Sequence, residues 1–312
     1  MSVIQVVAPG LLTTVQDLGR EGFGPMGVSP SGAADTIALR VGNRLAGNAE
    51  STAGLEMTLL GGAFLFPEGG VVALTGSDFG ATLDGVPVEL WASLEIRAGQ
   101  TLRTGPTRSG ARCYLCVQGG IAVKLLLGSA STHLLSGLGG FEGRALRKGD
   151  VLRCGAAAAF QMRAVAPLAL QRLAPRKVLR VTGGPQSAWF PEDSQRLFYE
   201  SIYRVTEESN RMGLRLDGPP VPAHSGGEMI TEGITLGALQ VPESGRPIIS
   251  FVEQQTTGGY PILANVISVD LSSVGQLRPR DEVRFEVVAM DEARALLIEQ
   301  EKLLAAEDLI LE

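Results

Sequence analysis

Ile96-Arg97-Ala98-Gly99-Gln100-Thr101-Leu102-Arg103 returns as Leu146-Arg147-Lys148-Gly149-Asp150-Val151-Leu152-Arg153, and again, more loosely, as Leu277-Arg278-Pro279-Arg280-Asp281-Glu282-Val283-Arg284. Each copy is an aliphatic–Arg pair, a turn, and a second aliphatic–Arg pair. Written as strand–turn–strand, the aliphatics face a core and the arginines face water. Arg280 stands where the other copies have Gly, so the third turn is expected to differ in type. Three unevenly spaced copies are too few for a solenoid or a propeller. They predict a mainly β chain built as a duplicated β-barrel, with such hairpins closing each half.

The surrounding sequence agrees with that class. Val71–Gly76 is a buried strand, Ala81–Val88 a hairpin on Asp84-Gly85, and Val178–Val181 opens the second half. The stretch from Gly155 to Lys177, Ala-rich and then broken by Pro167 and Pro175, reads as the boundary between domains 1–165 and 166–312. Helices are few. Ser31 or Gly32 is expected to cap one over Ala33–Leu45, with Ile37, Val41 and Leu45 as its apolar stripe. A short one is expected near Pro191–Tyr199, and an exposed one from Asp291 to about Asp308.

At 312 residues, with 45% hydrophobic and 19% charged residues, the chain can bury a real core in each half. A net charge of −6 without a dense basic run argues against nucleic acid as a partner. No apolar run reaches the roughly 18 residues of a membrane span. The strand-like start Met1–Val7 lacks the order of a signal peptide, which predicts a cytoplasmic protein. Cys113 and Cys116 form a C-x-x-C on a strand, where residues three apart face opposite ways; buried structural thiols are expected. With only His133 and His224 and no HExxH, no protein-built metal site is expected.

Chemistry concentrates in glycine-rich polar loops: Gly24–Asp35, Gln118–Thr132, Arg211–Gly213, Gln240 and Gln255–Pro261. The densest stretch is Gln254-Gln255-Thr256-Thr257-Gly258-Gly259-Tyr260-Pro261, between the strand-like runs Pro247–Val252 and Ile262–Val269. Gly258-Gly259 permits positive φ or a close approach, and a Tyr ring can wall a pocket while its hydroxyl bonds. The alternative is a polar connection whose glycines serve only the turn. Gln118-Gly119-Gly120 and Gly128–Thr132 are glycine–hydroxyl loops suited to an anion or a backbone contact, yet neither fits a nucleotide-binding pattern. Arg211 and Arg215 are either solvated strand arginines or a carboxylate or phosphate clamp. Asp35 in a first helical turn either favours the helix dipole or belongs to a site with Asn43. No nucleophile–base arrangement appears, leaving a cleft for a small polar molecule as the functional reading ranked above a pure interaction module.

Taken together, Thr14-Val15-Gln16-Asp17 with Gly19-Arg20, the Gly27–Asp35 loop, Val41-Gly42-Asn43 with Leu55-Glu56, Arg211-Met212-Gly213 and Gln255–Pro261 resemble the family of 5-oxoprolinase C-type subunits. That family also carries the labels biotin-dependent carboxyltransferase and allophanate hydrolase subunit 2. Glu253 and Gln254 depart from its expected Asp and basic or His residue, and Gly27-Val28-Ser29-Pro30-Ser31-Gly32 from a commoner Pro-x-Gly-Gly form. The resemblance implies two tandem cyclophilin-like β-barrels and a B-type partner subunit forming the other wall of the active site. It implies an ATP-dependent 5-oxoprolinase, inactive without its partners, in which an A-type partner completes hydrolysis of the lactam. Alternatives are a biotin-dependent urea or amide carboxyltransferase component, and a non-enzymatic partner of a histidine-kinase inhibitor. Under this resemblance Gln255, Thr256, Thr257, Gly258 and Gly259 hold the amide substrate together with Asn43, Gln118 and Gln240. Arg211 supports an anionic group, Asp35 orients the N-terminal loop, and Glu253 and Tyr260 are the catalytic candidates.

Overall fold

Short strands of alternating burial recur along the chain, whose computed structural model describes residues 2–156, 160–223 and 229–311. His224, Gly226 and Gly227 lie outside the described residues. The chain divides into one unit of residues 1–20, 31–174 and 303–312, and another of residues 21–30 and 175–302.

The first unit runs β1 (Val3–Ala8), β2 (Leu12–Gln16), α1 (Thr36–Leu45), β3 (Gly54–Thr58), β4 (Ala63–Phe66), β5 (Gly70–Gly76), β6 (Thr82–Leu83), β7 (Val86–Pro87), β8 (Ser93–Ile96), β9 (Gln100–Arg103), β10 (Arg112–Val117), β11 (Val151–Arg153), β12 (Ala164–Val165) and α2 (Pro167–Arg172). Antiparallel pairing gives a sheet ordered β11-β1-β4-β9-β6-β7 and another ordered β2-β3-β10-β5-β8. Ile4, Val6, Phe64 and Phe66 of the first sheet share one core with Leu55, Met57, Leu74 and Leu115 of the second. Cys113 joins that core and Cys116 the cluster against α1, so the C-x-x-C thiols take opposite sides of β10. Burial pushes both thiols far above their ordinary range.

Helix α1 lies on β5 and β10, where Thr75 Oγ1 donates to Ala38 O at 2.6 Å. A Cβ on Gly42 would come within 2.7 Å of Thr75 Oγ1 and 2.8 Å of Cys116 Sγ, so this contact needs glycine. The helix starts later than expected. Ser31 and Gly32 sit at φ 56 and 91, whereas Asp35 is extended and its Oδ1 accepts from Ala38 N at 3.0 Å. Asp35 is therefore the cap.

The second unit runs β13 (Val178–Gly183), α3 (Glu192–Glu200), β14 (Tyr203–Val205), β15 (Gly213–Asp217), β16 (Glu232–Gly233), β17 (Ala238–Gln240), β18 (Ile248–Ser250), β19 (Thr257–Gly258), β20 (Ile262–Val266), α4 (Leu271–Gly275), β21 (Glu282–Val287) and α5 (Met290–Ala305). Seven of these strands close a barrel ordered β13-β20-β17-β18-β15-β14-β21, while β16 and β19 form a separate two-stranded pair. Closure comes from the parallel pairing of β13 with β21. Phe198 of α3 stacks on Phe285 of β21, 4.7 Å between ring centres. The architecture is mainly β with few helices, as the sequence predicts.

The three-fold pattern proves to be a shared turn rather than a shared hairpin. β8 and β9 belong to different sheets, and β11 pairs with β1. What repeats is local chemistry. Arg97 N donates to Gln100 Oε1 at 2.8 Å, Arg147 N to Asp150 Oδ2 at 2.7 Å, and Arg278 N to Asp281 Oδ2 at 3.0 Å. The third position is left-handed every time, with Gly99 at φ 84, Gly149 at φ 92 and Arg280 at φ 72. The third turn thus does not differ; Arg280 accepts the conformation that glycine takes freely.

A second piece of local chemistry holds the N-terminal motif. Asp17 accepts from Ser129 Oγ at 2.6 Å, Ser131 Oγ at 2.5 Å, Ala130 N at 2.6 Å and Gly19 N at 2.8 Å. The glycine–hydroxyl loop does hold an anion, and the anion is the chain's own carboxylate. Beside it the buried Arg20 donates to Ser31 Oγ at 3.1 Å and to Ser131 O.

Asp17→Ala leaves these donors buried without their acceptor and is expected to lower stability by about 3 kcal/mol. Loss of the exposed Arg204–Glu282 pair in Glu282→Ala is expected to cost under about 1 kcal/mol; denaturant titration compares the two. Nothing lies within 4 Å of a Cβ on Gly149, so Gly149→Ala carries only the left-handed penalty of about 1–2 kcal/mol, read by the same titration. Hydrogen bonding from Arg144, with the Arg147 amide, outweighs burial and holds the Asp150 carboxyl below its ordinary value. Its contribution is present above the unfolded carboxylate range and is lost as pH falls through the lowered folded value. A pH series of unfolding midpoints should show a shallower acid limb for Asp150→Asn.

Candidate functional site

The segment Arg211-Met212-Gly213 enters β15 alongside the chain leaving β18. Phe251 N donates to Met212 O at 3.0 Å and Glu253 N to Arg211 O at 2.8 Å. The same residues are joined through side chains: Arg211 Nε and Glu253 Oε1 stand 2.5 Å apart, with side chains 5% and 2% exposed. A buried pair so close is stabilised only as a pair, and removing one member costs about 3–5 kcal/mol. Glu253 and Arg211 thus anchor the start of the Gln254–Pro261 loop to the barrel.

Above this anchor the barrel's outward face becomes a shallow cup. Gly213 pairs with Ser250, and Arg215 with Ile248; Ile248 pairs in turn with Gln240. Because side chains alternate along a strand, Leu214, Leu216 and Ile249 enter the core. Gly213, Arg215, Ile248, Ser250 and Gln240 face the other way, onto a cavity of about 510 Å³. Asn210 and Met212 line one end, and Gln254, Gln255, Gly258, Gly259 and Tyr260 line the loop side.

The loop wall is fixed by backbone bonds. Ile234 N donates to Thr256 O at 3.0 Å, while Gly233 and Glu232 pair with Thr257 and Gly258. Neither Gly258 nor Gly259 has positive φ. Close approach is the property used: a Cβ on Gly258 would meet Ile234 Cδ1 at 2.2 Å and Gln240 Oε1 at 2.9 Å. Gln240 Nε2 donates to Ser250 Oγ at 2.7 Å, which leaves its Oε1 beside Gly258 as an acceptor. Gln254 Nε2 donates to Ile234 O at 3.1 Å, and its Oε1 is buried with no hydrogen-bond partner among the described residues. Tyr260 is half-exposed at the rim.

The second unit therefore brings Gln240, Gln255, Gly258, Gly259 and Tyr260 to one cavity, with Arg211 and Glu253 fixing the base of its loop. Thr256 and Thr257 shape the wall through their backbone and do not line the cavity. The remaining candidates belong to the first unit. Asp35 caps the start of α1. Asn43, at its other end, donates to Glu50 O at 3.2 Å and Thr52 O at 2.7 Å. Gln118 lines a small cavity of about 200 Å³ with Ser2 and Glu68. Sequence reasoning missed Asn210, Ile248 and Ser250. Ser250 carried a signal, as a lone hydroxyl in the apolar run Ile248–Val252 whose alternation turns it outward. No three His, Cys, Asp or Glu side chains gather as metal ligands among the described residues, and no helix there is long and apolar enough to cross a membrane.

The family described as carboxyltransferase domain, subdomain A and B, matches residues 26–287. The C-type subunit of 5-oxoprolinase from Haemophilus influenzae is 38% identical over 284 residues, covering 91% of this chain and 90% of that one. Its counterpart from Escherichia coli strain K12, also a C-type 5-oxoprolinase subunit, is 37% identical over 291 residues, covering 93% of each. The crystal structure of K. lactis urea amidolyase superposes on 99% of this chain with a TM-score of 0.90 at 31% identity, while this chain spans 21% of that larger one. With a matched stretch that takes in the whole cavity, this chain belongs to the carboxyltransferase domain, subdomain A and B, family.

Proposed function

We propose that this chain is the C-type component of an ATP-dependent 5-oxoprolinase, acting with a B-type partner subunit on the lactam of 5-oxoproline and inactive alone. The observation that carries this reading is near full-length similarity to two C-type 5-oxoprolinase subunits, at 38% and 37% identity. The cavity's chemistry supports it. Lactam opening needs an N–H and a C=O held in place while negative charge grows on the oxygen. Gln240 Oε1 is placed to accept from a ring N–H. The Gln255 amide and the Tyr260 hydroxyl supply donors for the oxygen, and Met212 and Ile248 offer apolar contact to ring carbons. Thr256, Thr257, Gly258 and Gly259 hold this wall, and the Arg211–Glu253 pair keeps it in register with the barrel. Within the first unit, Asp35 and Asn43 brace the two ends of α1.

The nucleotide fits this cavity poorly. Arg215 is the one cationic side chain among the described residues that line it, too few for a triphosphate. We place nucleotide binding with the partner chains, an A-type partner completing hydrolysis. A second reading has its own support, since the family is described by carboxyl transfer and the fold superposes on urea amidolyase. In it the same cup holds urea or another amide that receives a carboxyl group from biotin carried elsewhere. A cytoplasmic location suits either reading.

The experiment is reconstitution with the B-type partner, with and without the A-type partner, following ATP hydrolysis as 5-oxoproline is added. Turnover is expected only in the full complex, and Tyr260→Phe should lower it roughly tenfold, the worth of one lost hydrogen bond. Turnover on urea with free biotin instead of 5-oxoproline would move the assignment to carboxyl transfer.

A further inference from the structure

Two arginines flank the cup, and their surroundings divide them sharply. Arg211 is buried and committed to Glu253. Arg215, two residues into β15, points outward in the strand's alternation and lines the cavity. Its ionic neighbour is Glu208 Oε2 at 3.8 Å, with the two side chains 55% and 80% exposed. Such a loose, hydrated pair contributes little and exchanges readily. Among the described residues that line the cavity, Arg215 is the only one carrying a charge. The other polar groups are neutral amides and hydroxyls. A neutral ligand would leave that charge unused, whereas a carboxylate would complete it with two parallel N–H···O bonds.

The strand register gives the spacing. Arg215 and Gln240 are both opposite Ile248, one strand to either side. Their backbones are thus two inter-strand steps apart, roughly 10 Å, and two long side chains reach inward from those positions. The gap between their polar ends suits a small ring over Ile248 with a carboxylate at one edge and an amide at the other.

We propose that Arg215 is the carboxylate anchor of this cavity and that its ligands are small lactams or amides bearing a carboxylate. Neutral amides of the same size are disfavoured. This inference rests on the small-amide reading above and sharpens it, because it separates an anionic lactam from uncharged urea. Arg215, rather than the buried Arg211, becomes the specificity-determining guanidinium, with Gln240 fixing the opposite end.

The test uses the full chain in complex with its B-type partner, with binding of 5-oxoproline and of neutral 2-pyrrolidinone measured by calorimetry alongside turnover. Wild type should bind 5-oxoproline more tightly than 2-pyrrolidinone. Arg215→Gln should weaken 5-oxoproline about 10- to 100-fold, the loss of a charge-assisted bond, and leave 2-pyrrolidinone unchanged. KM for 5-oxoproline should rise by the same factor with kcat little altered, and Arg215→Lys should recover part of the loss. Because Arg215 is exposed, unchanged unfolding midpoints check that the variants fold. The proposal is overturned if Arg215→Gln weakens both ligands equally or neither, if wild type prefers 2-pyrrolidinone, or if it binds neither. Arg215-dependent binding of 5-oxoproline without ATP-dependent turnover would keep the anchor and remove the 5-oxoprolinase reading. Turnover indifferent to Arg215 would do the reverse.

Discussion

The buried pairing of Arg211 with Glu253 is the constraint on which the second unit's cavity depends. Two full charges out of water are tolerated only in close contact, so the loop leaving β18 must pass where Glu253 can meet the segment entering β15. Everything beyond follows from that fixed start. Gln254 turns under the loop, Thr256 bonds to Ile234, and the β16–β19 pair sets Gly258 against Gln240. The same pair commits the Arg211 side chain to Glu253, while Arg215 lines the cavity.

The first unit solves a similar problem with the same economy. Glu56, buried in β3, receives Tyr114 Oη–H at 2.7 Å and Ala34 N at 2.8 Å, with Arg112 3.5 Å away. Burial first, and then the neighbouring Glu56, push the Tyr114 phenol well above its ordinary range. It therefore stays protonated and keeps donating. Asp17 and its serine loop repeat the principle with neutral donors. Each unit thus fixes a glycine-rich loop by giving an internal charge its partners, a task that glycine-rich backbone cannot perform for itself.

Much of this was legible in the residues. Mainly β class followed from alternation and from turns such as Asp84-Gly85, whose left-handed φ of 50 and 87 the dipeptide anticipates. The polar loop Gln255–Tyr260 stood out by its crowding of hydrogen-bonding groups, and Gln255, Gly258, Gly259 and Tyr260 of it line the cavity. What escaped depended on partners distant in sequence. Ser31 and Gly32 looked like caps until their left-handed backbone ruled them out. Arg211 and Arg215 look alike in sequence, and only the position of Glu253 tells them apart. The repeated pattern was visible, yet its meaning as a turn rather than a hairpin rests on which sheet each flanking strand joins, a long-range choice that local sequence does not encode.

The cup occupies the outside of a closed barrel whose interior is filled by Leu214, Leu216, Leu239 and Ile249. Along β15 and β18, Leu214, Leu216 and Ile249 belong to the core, and Gly213, Arg215, Ile248 and Ser250 between and beside them belong to the cup. Folding and recognition are therefore written on alternate letters of the same strands. Selection can revise the outward letters, replacing one ligand preference with another, while the inward letters continue to specify the barrel. A scaffold arranged this way can be passed among enzymes with different amide substrates without having to relearn how to fold.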